Sequence, residues 1–260
     1  VAAEERAGHL VSLGKGEWSC VFGSDTEDST LAEQLNARFI PIDPSRDTVP
    51  VSATAIRDEP YANWEFLPAC VRPIYVQRIC IFGPAGSGKS NLAEQLAIHY
   101  DTTSALEYRA GFTAGLGREL QEDDLLSIAT GQLASEDAMA KQANRVLFCD
   151  SNASSAVLEA ELRFNSASDA LRDVGRDRTY TLYLLMDVDG DWAMGSGKKP
   201  STKATDAFNH YRQHLIEADL RYLRLDGDYD TRFRIACDAV DNLTGHPTAR
   251  PPRPEYLRSA

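Results

Sequence analysis

Apolar residues along this chain fall into short solid runs and into longer stretches with helical spacing, and the two kinds alternate. The solid runs SCVF (19–22), RFIPI (38–42), VQRICIF (76–82), RVLFCD (145–150), TYTLYLLMD (179–187) and RYLRLD (221–226) predict strands. Amphipathic spacing predicts helices over 29–37, from Ser90 onward, as a pair across roughly 118–144, and over about 203–218 and 229–243. Strands that alternate with helices imply a parallel sheet covered on both faces, because each crossover helix must bury its own apolar stripe.

The alternation breaks once. Residues 43–57 (DPSRDTVPVSATAIR) read as loop, and 58–74 mix prolines with Trp64, Phe66 and Leu67, a connector expected to be packed. A boundary near Pro73 divides the chain into 1–72, which looks like the end of a doubly wound unit, and 73–246, a second αβ array. The remainder, 247–260, is rich in Pro and Arg and is expected to be flexible.

Composition narrows the partners. A net charge of −12 argues against a broad nucleic-acid or anionic-membrane surface, since such faces need an excess of Lys and Arg. No apolar run reaches the roughly 18 residues that span a bilayer, and the first residues have no signal-peptide pattern. The expectation is a cytoplasmic protein. The five cysteines lack CxxC spacing, and three sit in apolar runs that read as strands, so reduced buried thiols are expected. Residue 1 is Val rather than Met, which leads to the expectation of a fragment of a longer protein.

Candidate chemistry concentrates after the strand ending at Phe82. Gly83-Pro84-Ala85-Gly86-Ser87-Gly88-Lys89-Ser90 matches GxxxxGK[ST], and a helix follows it directly. In that arrangement backbone N–H groups and the helix N-terminus converge on phosphate oxygens. Lys89 would reach the β- and γ-phosphates of ATP, and the Ser90 hydroxyl would ligate Mg²⁺. Asp150 ends the apolar run RVLFCD, the place for an acidic residue close to that magnesium, with a cap for the helix starting near Asn152 as the lesser alternative. In LEYRAG (106–111), Glu107 is a candidate for the acceptor hydroxyl and Arg109 for a phosphate or carboxamide, with a plain helix start as the alternative. The stretch MDVDGDWAMGSGKKPSTK (186–203) holds Asp187, Asp189, Asp191, Trp192, Lys198 and Lys199, suited to a mobile lid that brings cations onto a transferring phosphate. The expected fold class is α/β, a P-loop NTPase-like parallel sheet with helices on both faces.

Several segments together resemble the NadR-type enzymes of bacterial NAD synthesis, which join an adenylyltransferase domain to a ribosylnicotinamide kinase. The resemblance runs over nearly the whole chain. It is carried by VPVSATAIRDEPYANWEFLPACVRP (49–73), ICIFGPAGSGKSNLAEQLA, LEYR, GQLASEDAMAKQANRVLFCD (131–150) and YLLMDVDGDW (183–192). It implies ATP- and Mg²⁺-dependent phosphorylation of nicotinamide riboside, with Lys89, Asp150 and Glu107 catalytic and Ser90 and Asp150 on the metal. It implies that Ser52, Thr54 and Arg57 match the SxTxxR segment that holds ATP phosphates in the adenylyltransferase, so that 1–72 is the C-terminal remnant of a doubly wound nucleotidyltransferase domain. The HxGH segment that this second reaction also needs does not occur in the chain, so adenylyl transfer is not expected from it. Where the family has Asp-Thr-Asp this chain has Asp150-Ser151-Asn152, and its lid departs from the family pattern after Trp192.

Two alternatives stay open on the residues alone: a module that binds ATP and pyridine nucleotides without turnover, and a P-loop kinase for another small metabolite. A small-molecule acceptor is the expected partner, with no nucleic acid and no membrane, and the sequence leaves the oligomeric state, a homo-oligomer included, undecided.

Overall fold

The computed structural model describes residues 18–188 and 201–244, together with His9 and Ser12. The chain separates into two compact units, one ending at Phe66 and the other beginning at Leu67.

In the first unit β1 (Cys20–Gly23) and β2 (Arg38–Pro41) pair in parallel, connected by α1 (Thr26–Gln34). Asp25 and Asp28 cap α1 reciprocally, which starts the helix ahead of the expected residue 29. Leu31 and Leu35, one turn apart, form its buried face against Val21 and Ala37. The stretch expected as loop over 43–57 contains α2 (Ala53–Asp58), because the Ser52 hydroxyl accepts the Ala55 N–H at 3.0 Å and so supplies a helix start. A 3₁₀ turn follows at Trp64–Phe66. Trp64 and Leu67 are buried as expected, whereas Phe66 is exposed.

The second unit begins with the short α3 (Arg72–Tyr75) and β3 (Gln77–Phe82), followed by α4 (Lys89–His99), β4 (Ser104–Ala105), α5 (Tyr108–Ala114) and α6 (Glu122–Ala140). It continues through β5 (Val146–Asp150), α7 (Ala153–Phe164), α8 (Asp169–Arg176), β6 (Leu182–Met186), α9 (Thr202–Glu217), β7 (Tyr222–Leu225) and α10 (Tyr229–Thr244). Its five strands among the described residues are all parallel, in the order β4-β5-β3-β6-β7. β3 is central and shows why the apolar runs are continuous rather than alternating. Ile79 and Ile81 pack with Leu92 and Leu96 of α4 and Val240 of α10. Cys80 and Phe82, on the opposite face, pack with Phe208, Tyr211 and Leu215 of α9.

The expected helical pair across 118–144 is instead one 19-residue helix, α6. It runs through Gly131 because the Tyr108 ring occupies the space beside it: a Cβ at Gly131 would lie 2.3 Å from that ring. LEYRAG follows directly on β4, which has two residues, and Glu107 is already the N-cap residue of α5. Cys80, Cys149 and Cys237 are buried and free, in keeping with the reduced thiols expected. No helix among the described residues is long and apolar enough to cross a membrane. The stretch 247–260 lies outside the described residues.

Candidate functional site

The loop between β3 and α4 is shaped by three glycines with positive φ: Gly83 at 143°, Gly86 at 78° and Gly88 at 89°. Gly83 has a second constraint, because a Cβ there would sit 2.9 Å from the Met186 carbonyl at the end of the adjacent β6. Gly88 occupies the N-cap of α4 without a side chain to cover it, which leaves the first N–H groups of that helix facing the loop. The Ser87 hydroxyl donates to the Pro84 carbonyl at 2.9 Å, and the Lys89 ammonium reaches the same carbonyl at 3.1 Å. Lys89 is buried, so its charge is directed into the loop rather than into solvent.

β5 places Asp150 opposite Ile81 of β3, and the chain leaves the strand through Ser151 at φ 70°. Asp150 is 1% exposed. Burial raises its carboxyl above the ordinary value, against the Ser90 hydroxyl, the Lys89 ammonium and the Glu107 N–H, all of which favour the charged form. Its Oδ1 is buried with no hydrogen-bond partner among the described residues. A lone acceptor oxygen beside a P-loop serine suits a hard divalent cation, which takes oxygen ligands. Asp150 does not cap α7. That task falls to Asn152, whose Oδ1 accepts the Ser155 N–H and the Ser154 and Ser155 hydroxyls, each at 3.0 Å.

The loop, Ser151 and Asn152 directly after Asp150, and the start of α5 border a cavity of about 630 Å³. Glu107 and Arg109 both line it, together with Gln132, Glu159, Tyr211 and the apolar Ile128 and Leu162. Burial raises the Glu107 carboxyl above its ordinary value; the Lys89 charge opposes this and the Asp150 charge adds to it. Arg109 is held in a two-point ion pair, with Nε and an Nη donating to Glu159 at 2.6 and 2.9 Å. Its contribution to the cavity is therefore a neutralised pair rather than a loose cation. Glu159, Gln132 and Tyr211 were not singled out from the sequence. They stand on separate helices, and only the fold brings them to one wall.

Of the lid stretch, Asp187 is described: it is buried and accepts from Arg224 Nε at 2.6 Å. Asp189, Asp191, Trp192, Lys198 and Lys199 lie outside the described residues. Behind the loop, the buried Arg232 of α10 donates to the carbonyls of Gly227 at 2.8 Å, Asp187 at 3.2 Å and Ser87 at 3.4 Å. In the first unit Ser52 caps α2, Thr54 stands in its first turn and Arg57 in its last, and the Arg57 guanidinium donates to the Thr54 hydroxyl at 3.2 Å.

Taken together, the central-strand glycine loop, the capless helix behind it and the carboxylate on the neighbouring strand define an α/β P-loop domain. The chain belongs to an AAA-domain family, whose model matches residues 78–232. It is similar to the trifunctional NAD biosynthesis/regulator protein NadR of Salmonella typhimurium, 29% identical over 238 residues, and to that of Escherichia coli, 30% identical over 236. These alignments take in 87% and 86% of this chain and 57% of each relative, so the chain spans a little over half the length of the curated relatives it matches. A crystal structure of NadR protein in complex with NR matches it with a TM-score of 0.74 at 20% identity, covering 96% of this chain and 77% of that one. One in complex with NAD and AMP-PNP gives 0.73 at 20%, covering 96% and 75%. At that identity the likeness carries the fold, and it is the fold class expected from the sequence. The NadR resemblance read from the motifs is matched by the two curated relatives.

Proposed function

We propose that this chain is a kinase that transfers the γ-phosphoryl group of ATP to the 5′-hydroxyl of nicotinamide riboside, giving nicotinamide mononucleotide. One observation carries the reading: the phosphate loop and a raised carboxyl, Glu107, line the same cavity of about 630 Å³, whose wall continues through Ser151 directly after the buried Asp150, and the space is enough for a nucleoside beside the nucleotide's phosphates. That a NadR protein has been solved in complex with NR, and another with AMP-PNP, supports the choice of acceptor and donor.

In this reading the loop N–H groups and the start of α4 bind the phosphates, and the buried Lys89 draws the γ-phosphoryl oxygens toward the loop. Ser90 and Asp150 would hold Mg²⁺, which when bound neutralises charge on the phosphate oxygens. Glu107 accepts the acceptor hydroxyl's hydrogen bond and aims it. Ile128, Leu162 and Tyr211 offer an apolar side to a flat ring, and the Arg109–Glu159 pair presents polar edges beside it. Asp189, Trp192 and Lys198 remain in the proposal as lid residues. The chain carries no HxGH segment, and adenylyl transfer is not part of the proposal; Ser52, Thr54 and Arg57 are read as the retained phosphate segment of such a domain.

The test is ATP-dependent conversion of nicotinamide riboside to its mononucleotide by the purified chain, with Lys89→Ala prepared alongside. Product from the wild type and at least a roughly 10²-fold loss in the variant are expected. Saturable Mg·ATP binding without consumption of the riboside would move the assignment to a binding module or to a kinase for another acceptor.

A further inference from the structure

The most buried polar residues of α6 are Gln132, 3% exposed, and Glu136, 0% exposed, one turn apart on a face otherwise made of Leu125, Ile128, Ala129 and Leu133. Polar side chains at such depth are retained when every atom has a defined partner. Gln132 uses both ends of its amide. Its Oε1 accepts the backbone N–H of Tyr108 at 2.9 Å, and its Nε2 donates to Glu136 Oε1 at 3.2 Å. Tyr108 is the first residue of α5 and Glu107 is that helix's N-cap residue, so the amide grips the backbone directly after the cavity carboxylate.

Glu136 fixes which way the amide points. Its oxygens accept the Tyr180 hydroxyl at 2.8 and 2.9 Å, and Arg78 and Arg178 stand 3.7 and 3.6 Å away. A carboxylate has no donor to offer, so the NH₂ end of Gln132 must face it and the oxygen must face Tyr108. The same contact is locked sterically, with the Tyr108 ring lying over Gly131, where no side chain fits. Glutamine supplies donor and acceptor at this reach; an aliphatic side chain of the same length would supply neither.

We infer that Gln132, oriented by Glu136, is a positioning residue that sets the start of α5 and thereby the place of the Glu107 carboxylate in the acceptor cavity. The inference rests on the reading above in that it gives Glu107 a role in turnover. It names a path from a buried ion cluster, through one amide, to the reacting hydroxyl.

The experiment is a double-mutant cycle in the full chain between Gln132→Met and Glu107→Gln, with kcat and KM for both substrates, alongside amide hydrogen exchange by mass spectrometry. Gln132→Met alone should lower kcat roughly 30-fold with the KM for ATP within about twofold, since misplacement by an ångström is enough for such a loss. In the Glu107→Gln background the same change should cost less than about threefold, because the group it positions is already gone. Glu136→Gln, which keeps the packing and frees the amide to turn, should give a smaller loss of the same pattern. Losses that multiply in the double variant, or that fall equally on the KM for ATP, would reduce Gln132 to a stability role and overturn the inference. If the wild type makes no mononucleotide, the kinase reading falls while exchange still decides this one. Faster exchange confined to 106–114 in Gln132→Met would sustain it, and unchanged exchange at Tyr108 would overturn it.

Discussion

Ile81 and Asp150 sit opposite one another in the β3–β5 ladder, which sets a buried carboxylate beside the strand that ends, one residue later, in the phosphate loop. The relationship follows from strand order alone: β5 is β3's neighbour although a strand and three helices separate them along the chain. Asp150 thus meets Ser90 and Lys89 without any local sequence motif linking them.

Asp150→Asn is expected to abolish turnover and yet to raise the melting temperature of the ligand-free protein. The folded-state carboxyl lies above its ordinary value, so its favourable contribution is complete only below pH 3.8 and is lost as the pH rises through the folded-state value. At neutral pH the ionised group burdens the fold, and an amide relieves that by about 1 kcal/mol. Melts at pH 7 with and without Mg·ATP check both halves: the wild type should gain stability from the ligand and the variant should not. A variant that melts below the wild type without ligand refutes the assignment of a buried, underpartnered charge.

The loop glycines should differ in cost. Gly83→Ala forces a Cβ to 2.9 Å from the Met186 carbonyl at a φ of 143°, where the clash is with backbone that cannot turn aside. A loss of about 2–4 kcal/mol is expected. Gly86→Ala meets nothing within 4 Å and has only its φ of 78° to bear, which costs about 1–2 kcal/mol. Urea midpoints for the two variants rank them; equal midpoints would contradict the packing of the loop against β6.

If the proposed kinase reading holds, acid should silence phosphoryl transfer earlier than ordinary carboxylates would. Glu107 is raised by burial and by the Asp150 charge, so it takes up its proton at a higher pH than a solvated glutamate, and the form that accepts the hydroxyl's hydrogen bond is depleted from there downward. The Asp150 charge adds to the rise at Glu107, so the acid limb of kcat/KM responds to both carboxyls. In Glu107→Gln that limb should move to lower pH while the plateau falls. An unmoved limb would take Glu107 out of the reacting pair.

How much of this was legible beforehand varies with how local the signal is. The apolar runs that became β3, β5, β6 and β7, and the loop from Gly83 to Ser90, are patterns within a few residues, and the strand-and-loop reading located them. Asp150 was legible for the same reason, as the polar end of an apolar run. The helical pair expected across 118–144 is a single helix, and only the fold shows the Tyr108 ring seated beside its Gly131. Arg109 was read as a candidate ligand contact, but its partner Glu159 comes from α7, and no spacing rule connects the two. Ser52 shows the reverse case, a cap signal present in SATAIR that polar surroundings disguised as loop.

Arg232 gives the last test. Its guanidinium, 1% exposed, joins the carbonyls of Ser87 in the phosphate loop, Asp187 after β6 and Gly227 after β7. A planar fork of donors can serve three strand ends at once, and a lysine's single ammonium cannot. Arg232→Met should lose about 2–4 kcal/mol of stability, because buried carbonyls are left without their donor. Arg232→Lys should recover part of that and still weaken Mg·ATP binding, since the Ser87 contact is the longest of the three and the first to be given up. Denaturation midpoints read the first effect and equilibrium nucleotide titration the second. A lysine variant with wild-type nucleotide affinity would mean that the Ser87 bond does not help to hold the loop.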